Sequence, residues 1–546
     1  MPTLTIDGRQ IDAPDGSTVI QAAERLGIFV PRYCYHPGLS IAGNCRICLV
    51  DVEKNPKLQI ACNTPVADGM VVHTKSSKAE DGRRAVLEFL LANHPLDCPV
   101  CDQSGECELQ NFYMNFGLYD PRFREQKVKK KKAVALGPHV MLDQERCILC
   151  SRCVRFSDEI SKTGEFGIFN RGDRAELGLY PGQSLDNPYS GNVVDICPVG
   201  ALTDRDFRFK ARVWYLSSAP TVCNRCAQGC NVDLHYVLNR PHLNDGARVL
   251  RVKPRYNADV NQWWMCDEGR YGFGWMDENR LKHVHTRGVE STWERAIEEI
   301  TADLASLRQN GLGSRLGVIA SPQLTNEELF LIRQIFQDAL GSRVTAAVPA
   351  TPGYSDDFLI KADKYPNRRG AEFLGLCSPD GPDAAGLVAD ALDGRIDALW
   401  VFGLDLATIV EEEKVQELAT RLRLFVFCGT NDNATARWSH WLLPTAACVE
   451  KDGTFVNCHG RIQRIGRAFP PVNEAREDWS LLLDIARQLG QPLPWRNPEG
   501  IFLGMADAVP QLAGLTYETI GSQGAWLAAP SSVVGAASPA TGAGAP

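Results

Sequence analysis

The sequence predicts a multidomain chain, α+β in its first part and α/β in its second, and three observations carry that prediction. Fifteen of the nineteen cysteines lie between Cys34 and Cys266, and with one histidine they sort into four consecutive sets of four. Residues 3–11 alternate in polarity about Asp7-Gly8, a hairpin turn signal, and a helical stretch over 18–26 follows, opened by Asp15 and Ser17. From about Thr292 apolar strands alternate with helices, which implies a parallel, doubly wound sheet.

At 546 residues, 44% of them hydrophobic, the chain can fill the cores of about three or four domains. Its net charge of -8 and pI near 5.8 argue against a nucleic-acid or anionic-lipid surface, because such partners select a basic footprint. Residues 1–10 show no basic region followed by an apolar run, so no secretory signal is expected and a cytoplasmic location is. No stretch reaches the roughly 18 to 20 apolar residues that cross a bilayer; 398–410 is interrupted by Gly403 and Asp405. Any membrane association is therefore expected through partners. In a reducing compartment, closely spaced cysteines read as metal or redox ligands rather than disulfides.

The hairpin and crossing helix suggest a small β-grasp, ferredoxin-like domain. Its ligand set is Cys34, Cys45, Cys48 and Cys62, with ten, two and thirteen residues between them. The central pair and the distant fourth cysteine match a plant-type [2Fe-2S] site, although the first gap is longer, and structural zinc uses the same thiolates. Gly38 and Gly43 fall inside the loop, where backbone must wrap closely. Helical residues 78–91 lead to His94, Cys98, Cys101 and Cys107. Only three cysteines are within reach there, and a cubane needs a fourth ligand, so His94 is the leading candidate. A neutral imidazole in place of a thiolate makes such a cluster less negative. The basic run from Lys127 through Lys129, Lys130, Lys131 and Lys132 reads as a solvated connector rather than a docking patch, and no chemistry is assigned to it.

The third set is Cys147, Cys150, Cys153 and then Cys197-Pro198. It is the bacterial ferredoxin pattern with its last cysteine moved 43 residues downstream, and residues 192–196 read as a strand. The fourth set is Cys223, Cys226, Cys230 and, after 35 residues, Cys266. Residues 249–252 and the pair Trp263-Trp264 read as parts of a small β-rich domain around it. In the α/β region, 315–320, 396–402 and 422–428 read as strands and 325–340 as an amphipathic helix. Gly403 and Gly429 read as turn glycines, because no phosphate-binding glycine motif is present. Cys377, Cys428, Cys448 and Cys458 lack ligand spacing and read as buried small hydrophobes. Residues 523–546, rich in Ala, Pro, Gly and Ser, read as a low-complexity, disordered tail.

Five stretches now carry a resemblance. They are the Tyr33-Cys-Tyr-His-Pro-Gly and Gly43-Asn-Cys-Arg-Ile-Cys runs, the run Ala92-Asn-His-Pro-Leu-Asp-Cys-Pro-Val-Cys-Asp-Gln-Ser-Gly-Glu-Cys, Arg146-Cys-Ile-Leu-Cys-Ser-Arg-Cys-Val-Arg-Phe, and Glu450-Lys-Asp-Gly-Thr-Phe-Val-Asn-Cys-His-Gly-Arg. Over about residues 1 to 495 the chain resembles the large peripheral-arm iron-sulfur subunit of bacterial respiratory complex I, NADH:quinone oxidoreductase. The resemblance implies one [2Fe-2S] cluster on the first set, [4Fe-4S] clusters on the second and third with His94 as a ligand, and a further [4Fe-4S] cluster on the fourth, off the main electron path. It implies an α/β region like a truncated molybdopterin oxidoreductase domain that has lost its cofactor. No molybdenum or pterin is expected, Cys377 in the turn-like run 377–382 being the only cysteine near the position of a molybdenum ligand. The implied division is 1–77, a 2Fe-2S ferredoxin-like domain; 78–117, a 4Fe-4S segment with one histidine and three cysteines as ligands; 118–215, a 4Fe-4S ferredoxin-like domain; 216–283, a 4Fe-4S domain of the molybdopterin-oxidoreductase type; 284–522, the degenerate α/β domain; and 523–546, the tail. Implied partners are a flavin- and NADH-binding subunit, a 2Fe-2S thioredoxin-like subunit and a two-cluster ferredoxin-like subunit leading to quinone. The implied place is the cytoplasmic face of the inner membrane, with electron flow coupled in the whole complex to proton translocation. No catalytic residue is expected on this chain alone. A formate dehydrogenase, the diaphorase subunit of an NAD-linked hydrogenase and a zinc scaffold are the rival readings.

Overall fold

A computed structural model of the chain describes residues 1–120, 122–347, 353–377 and 383–527. The chain falls into two units: Met1–Ser217 with His235–Pro254 and Gln262–Gly272, and Ser218–Leu234 with Arg255–Asn261 and the residues from Phe273 onward.

In the first unit, β1 (Thr3–Ile6) and β2 (Arg9–Asp12) pair antiparallel. The hairpin signal holds because Asp7 and Gly8 both adopt positive φ, at 48° and 80°, as a two-residue primed turn requires. Helix α1 (Val19–Arg25) starts at Thr18 rather than at Ser17, and the Thr18 amide donates to the Gln21 side chain at 2.9 Å. With β3 (Leu49–Val52), β4 (Gln59–Ile60) and β5 (Val71–His73) the strands form one sheet in the order β2-β1-β5-β3-β4. Val19, Ile20, Ala22 and Ala23 of α1 bury against Leu4, Ile6, Val50 and Val72 of that sheet. Helix α2 (Ser77–Asn93) is capped by the Ser76 hydroxyl and tied to the sheet by Arg83, which donates to the Leu49 carbonyl at 2.9 Å. Helices α3 (Glu108–Phe116), α4 (Arg152–Glu159) and α5 (Asn192–Ile196) carry or adjoin the ligand loops that follow.

The second unit is built on a seven-stranded sheet. Its strands run Val289–Glu290, His285–Thr286, Trp441–Pro444, Leu424–Gly429, Ala398–Phe402, Leu316–Ala320 and Arg343–Ala346, the last five parallel. Both faces are covered, which explains the unbroken apolar runs. Leu316, Val318, Trp400, Phe402, Val426 and Cys428 enter one core, while Ile319, Leu399, Val401, Phe425 and Phe427 enter the other. The α/β expectation is met, with a short antiparallel edge added.

Several expectations are corrected. Residues 192–196 are helix α5, not a strand: five residues with three apolar ones cannot distinguish the two, and Asn192 donates to the Tyr189 carbonyl at 2.8 Å to start the helix. The stretch 325–340 is amphipathic only in its second half: every residue of the helix Asn326–Ile332 is buried, while the wide π-helical continuation Arg333–Ala339 buries Ile335 and Phe336 and exposes Asp338. Gly429 ends a strand rather than forming a turn, and Gly403, at φ 66°, makes the turn. Cys428 and Cys448 are buried as expected, but Cys377 is only half-buried and Cys458 is exposed. Of the tail, Ala525–Trp526 pairs with Arg461–Ile465; residues 528–546, like the run 378–382 beyond Cys377, lie outside the described residues. No described helix is long and apolar enough to cross a membrane.

Charge is buried in the second unit at the Glu450-Lys451 motif. Arg280 and Glu450 are almost wholly enclosed and pair through two bonds of 3.0 and 2.6 Å, while Lys451 meets Glu328 at 2.8 Å and Asp478 at 3.1 Å. Removing one member of such a pair strands the other in a low-dielectric interior. Glu450→Ala is therefore expected to destabilise the second unit by about 3 to 5 kcal/mol, read as a lower urea midpoint for that unit in the full chain; an unchanged midpoint would refute it.

Candidate iron-sulfur sites

The first set converges inside the β-grasp domain. Cys34, Cys48 and Cys62 are buried and Cys45 nearly so. The Cys34 sulfur accepts from the Cys45 and Cys62 thiols, which holds it far below the ordinary thiol value, and Cys48 is lowered in the same way by Cys62. The four thiols thus form one run of contacts, Cys45 to Cys34 to Cys62 to Cys48. Arg46, between Cys45 and Cys48, has φ 60°, and Gly43 has φ 62°. Gly38 is explained differently: a Cβ there would stand 2.7 Å from the Trp263 ring and 2.9 Å from the Trp264 ring. His36 also packs on both indoles, at 5.7 and 5.4 Å. The tryptophan pair therefore covers the first ligand loop, correcting the expectation that it serves the fourth.

His94, Cys98, Cys101 and Cys107 line one cavity of about 740 Å³. His94 is the C-cap of α2, and Cys107 is the N-cap of α3, so two helix ends aim the outer ligands. Burial pushes the His94 imidazole down to about 4 and so keeps it neutral, the form that can donate a lone pair, and pushes the Cys107 thiol up to about 11. A Cβ on Gly200 would meet the Cys101 sulfur at 2.3 Å, so this close approach needs glycine. Asp97, between two ligands, is clamped by Arg146 at 3.2 and 2.7 Å and by Lys132 at 3.0 Å. The basic run is a solvated connector only in part: Lys129 and Lys131 are exposed, whereas Lys127 turns inward, Lys132 reaches Asp143 from the surface at 3.1 Å, and Lys130 donates to the Ala175 carbonyl.

Cys147, Cys150, Cys153 and Cys197 line a second cavity. Leu149 and Ser151 alternate with these cysteines at φ 53° and 61°. Such left-handed residues coil the chain so that successive amides face inward, an anion-binding arrangement. Burial pushes the Cys150 thiol up to about 11 and Cys147 up to about 12. A bound metal reverses that preference by stabilising thiolate.

The fourth set is split by the division of the chain. In the second unit Cys223, Cys226 and Cys230 share one loop, whose Cys223 amide donates to the Cys230 carbonyl at 2.8 Å. Asn457 and Gln463 hold that loop through the Gln228 and Gly229 carbonyls, at 3.3 and 2.9 Å. Cys266, in the first unit, caps a short helix, and its neighbours are fixed: Asn192 bonds both the amide and carbonyl of Met265, and Asp267 accepts from Ser190 and Gly191. Among the described residues no three His, Cys, Asp or Glu side chains form a closed metal-holding group. The first three sets are recognised by their thiol contacts and shared cavities instead, and their buried, mostly sulfur donors suit iron-sulfur groups.

One feature of the first three sets escaped sequence reasoning. Buried Arg152 donates to the Ile196 carbonyl at 3.0 Å and to the Tyr35 carbonyl at 2.9 Å, spanning the third set and the first. Arg155 donates to the Cys34 and Ser40 carbonyls, and Asn44 reaches the Leu149 carbonyl at 3.2 Å. The Glu108 amide donates to the Pro198 carbonyl at 3.0 Å, joining the second set to the third. Consequently Cys34, Cys107 and Cys150, one from each set, line a single apolar core with Tyr33, Leu87 and Val199. The arginines spaced through 146–155 were the available signal.

Five stretches of the chain match known families. Residues 1–77 match the family described as a 2Fe-2S iron-sulfur cluster binding domain, 83–122 the NADH-ubiquinone oxidoreductase-G iron-sulfur binding region, and 137–203 the ferredoxin-like domain of NADH-quinone oxidoreductase subunit 3. Residues 216–278 match the molybdopterin oxidoreductase Fe4S4 domain and 367–488 molybdopterin oxidoreductase. The mitochondrial 78 kDa subunit of NADH-ubiquinone oxidoreductase from Candida albicans is 31% identical over 93% of this chain and 85% of its own length. The chain belongs to the family of large iron-sulfur subunits of NADH-quinone oxidoreductase. Another relative in this family, the mitochondrial NADH dehydrogenase [ubiquinone] iron-sulfur protein 1 of Solanum tuberosum, is 30% identical over 93% of this chain and 83% of its length. A bacterial relative, the corresponding NADH-quinone oxidoreductase subunit of Rickettsia bellii, is 38% identical over 62% of this chain, and the match spans about half, 48%, of that relative. Among solved structures, a chain of an NAD+-reducing [NiFe]-hydrogenase is 32% identical, with 39% of this chain and 91% of that one covered and a TM-score of 0.36.

Arg152→Met removes a buried charged donor from two carbonyls, which is expected to cost about 2 to 3 kcal/mol. It should also lower the iron retained by the first and third sets together while sparing the His94 set. Loss confined to one set, in EPR of the purified variant, would refute the shared brace.

Proposed function

We propose that the chain is an electron-relay subunit of NADH:quinone oxidoreductase, taking single electrons from a flavin-containing NADH-oxidising partner and passing them toward the quinone-reducing module. The observation that carries this is the shared core of the first unit, where cysteines of three ligand sets lie side by side in an apolar interior. When bound, iron-sulfur clusters supply one-electron transfer at potentials tuned by ligand, hydrogen bonding and burial. The chain's own residues position, insulate and bias them.

On this reading Cys34, Cys45, Cys48 and Cys62 hold a [2Fe-2S] cluster. [4Fe-4S] clusters are held by His94 with Cys98, Cys101 and Cys107; by Cys147, Cys150, Cys153 and Cys197; and by Cys223, Cys226, Cys230 and Cys266. The fourth lies off the productive path. Arg152 and Arg155 keep the first and third loops in register, the left-handed loop residues turn amides toward the sulfurs, and Trp263 and Trp264 keep water from the first loop. The partners are the flavin- and NADH-binding subunit, a 2Fe-2S thioredoxin-like subunit and a two-cluster ferredoxin-like subunit. The complex holds this chain at the cytoplasmic face of the bacterial inner membrane.

Iron, acid-labile sulfide and low-temperature EPR on anaerobically purified complex test the reading. One [2Fe-2S] and three [4Fe-4S] clusters require about 14 irons from this chain, and Cys266→Ala should remove about four of them while NADH oxidation continues. Zinc in place of iron, or stoichiometric molybdenum, would overturn it.

A further inference from the structure

We propose that Lys127 is a positioning residue for His94 and raises the reduction potential of the group held by His94, Cys98, Cys101 and Cys107. The inference rests on the reading above that this set carries a [4Fe-4S] cluster. Helix α2 runs for 17 residues and ends at Asn93, so the partial negative charge of its C-terminus falls on His94. Uncompensated, that end disfavours the more negative, reduced state of anything His94 ligates. Lys127 returns to this end from the basic run. Its Nζ donates to the carbonyls of Leu91 at 2.6 Å and Ala92 at 2.8 Å, two groups that helix geometry leaves without an internal partner. The Val128 amide donates to the Asn93 side chain at 3.0 Å and fixes the adjoining backbone.

The other cations near the site differ. Lys132 and Arg146 share Asp97 and Asp143, two carboxylates for two cations, so their charge is offset where it stands. Among the described residues no carboxylate pairs with Lys127, whose further neighbour is the Phe123 ring at 5.8 Å. Lys127 also lines the same cavity as the four ligands. A full positive charge against roughly half a negative one leaves the wall beside His94 net positive. The result is a backbone locked just before the histidine and a field that favours the reduced state.

The test is an EPR-monitored redox titration of the assembled complex carrying Lys127→Met, with Lys127→Arg and the exposed neighbour Lys131→Met beside it. In Lys127→Met the His94-set signal should persist, with altered histidine nitrogen coupling, and its reduced-to-oxidised ratio at fixed poise should fall roughly tenfold, the scale of one charge lost at a partly buried site. Lys127→Arg should restore both, and Lys131→Met should change neither. An unmoved ratio in Lys127→Met overturns the proposal. Should that variant lose the signal altogether, recovery in Lys127→Arg supports the proposal and its failure overturns it. Absence of the signal in the unmodified complex overturns the underlying cluster assignment instead.

Discussion

The placement of the first and third ligand sets depends on one buried guanidinium. Arg152 divides its donors between the carbonyls of Tyr35 and Ile196, one beside Cys34 and the other beside Cys197. A loop that wraps metal exposes its own carbonyls, and in an apolar interior each needs a donor. An arginine meets that need for two loops at once because its donors are fixed in a planar fork. The shared core around Cys34, Cys107 and Cys150 is packed about this arrangement.

The second unit solves a different problem. Its sheet is hydrophobic on both faces and, among the described residues, the unit carries no constellation of ligand spacing beyond the Cys223 loop, yet it buries Arg280, Glu450, Lys451, Glu328 and Asp478. Paired charges in such a place fix geometry more than they add stability. They lie on and around the motif whose continuation, Asn457 to Gln463, grips the Gln228-Gly229 backbone between Cys226 and Cys230. A fold of the molybdopterin-oxidoreductase type thus serves here to hold one end of a ligand loop.

Much of this was legible in the sequence. The hairpin at Asp7-Gly8, helices α1 and α2 and the parallel strands follow from local periodicity and turn chemistry. The resemblance to the family was carried by the motif runs around the ligands and at Glu450 to Arg461. What was not legible depended on partners distant in sequence. Lys127 read as solvated because a basic run carries no mark of the helix end it caps, 35 residues earlier. Trp263 and Trp264 were assigned to the nearest ligand, Cys266, although they pack on Gly38. Asn192 to Ile196 read as a strand because five apolar-rich residues satisfy either period. Leu149 and Ser151 gave no hint of left-handed backbone, since that conformation is imposed by the ligand loop rather than preferred by leucine or serine.

The cover over the first ligand loop also sets an order of events during synthesis. Gly38 and Trp263 are separated by 225 residues (263 minus 38) and touch in the finished chain. At a ribosomal rate of roughly 5 to 20 residues per second, the loop around Cys34 stays uncovered for about 11 to 45 seconds after it emerges. On the cluster assignment proposed above, that interval gives a donor of iron and sulfide open access to the first site. Once the two indoles arrive, the site is shut by a part of the chain made long after it.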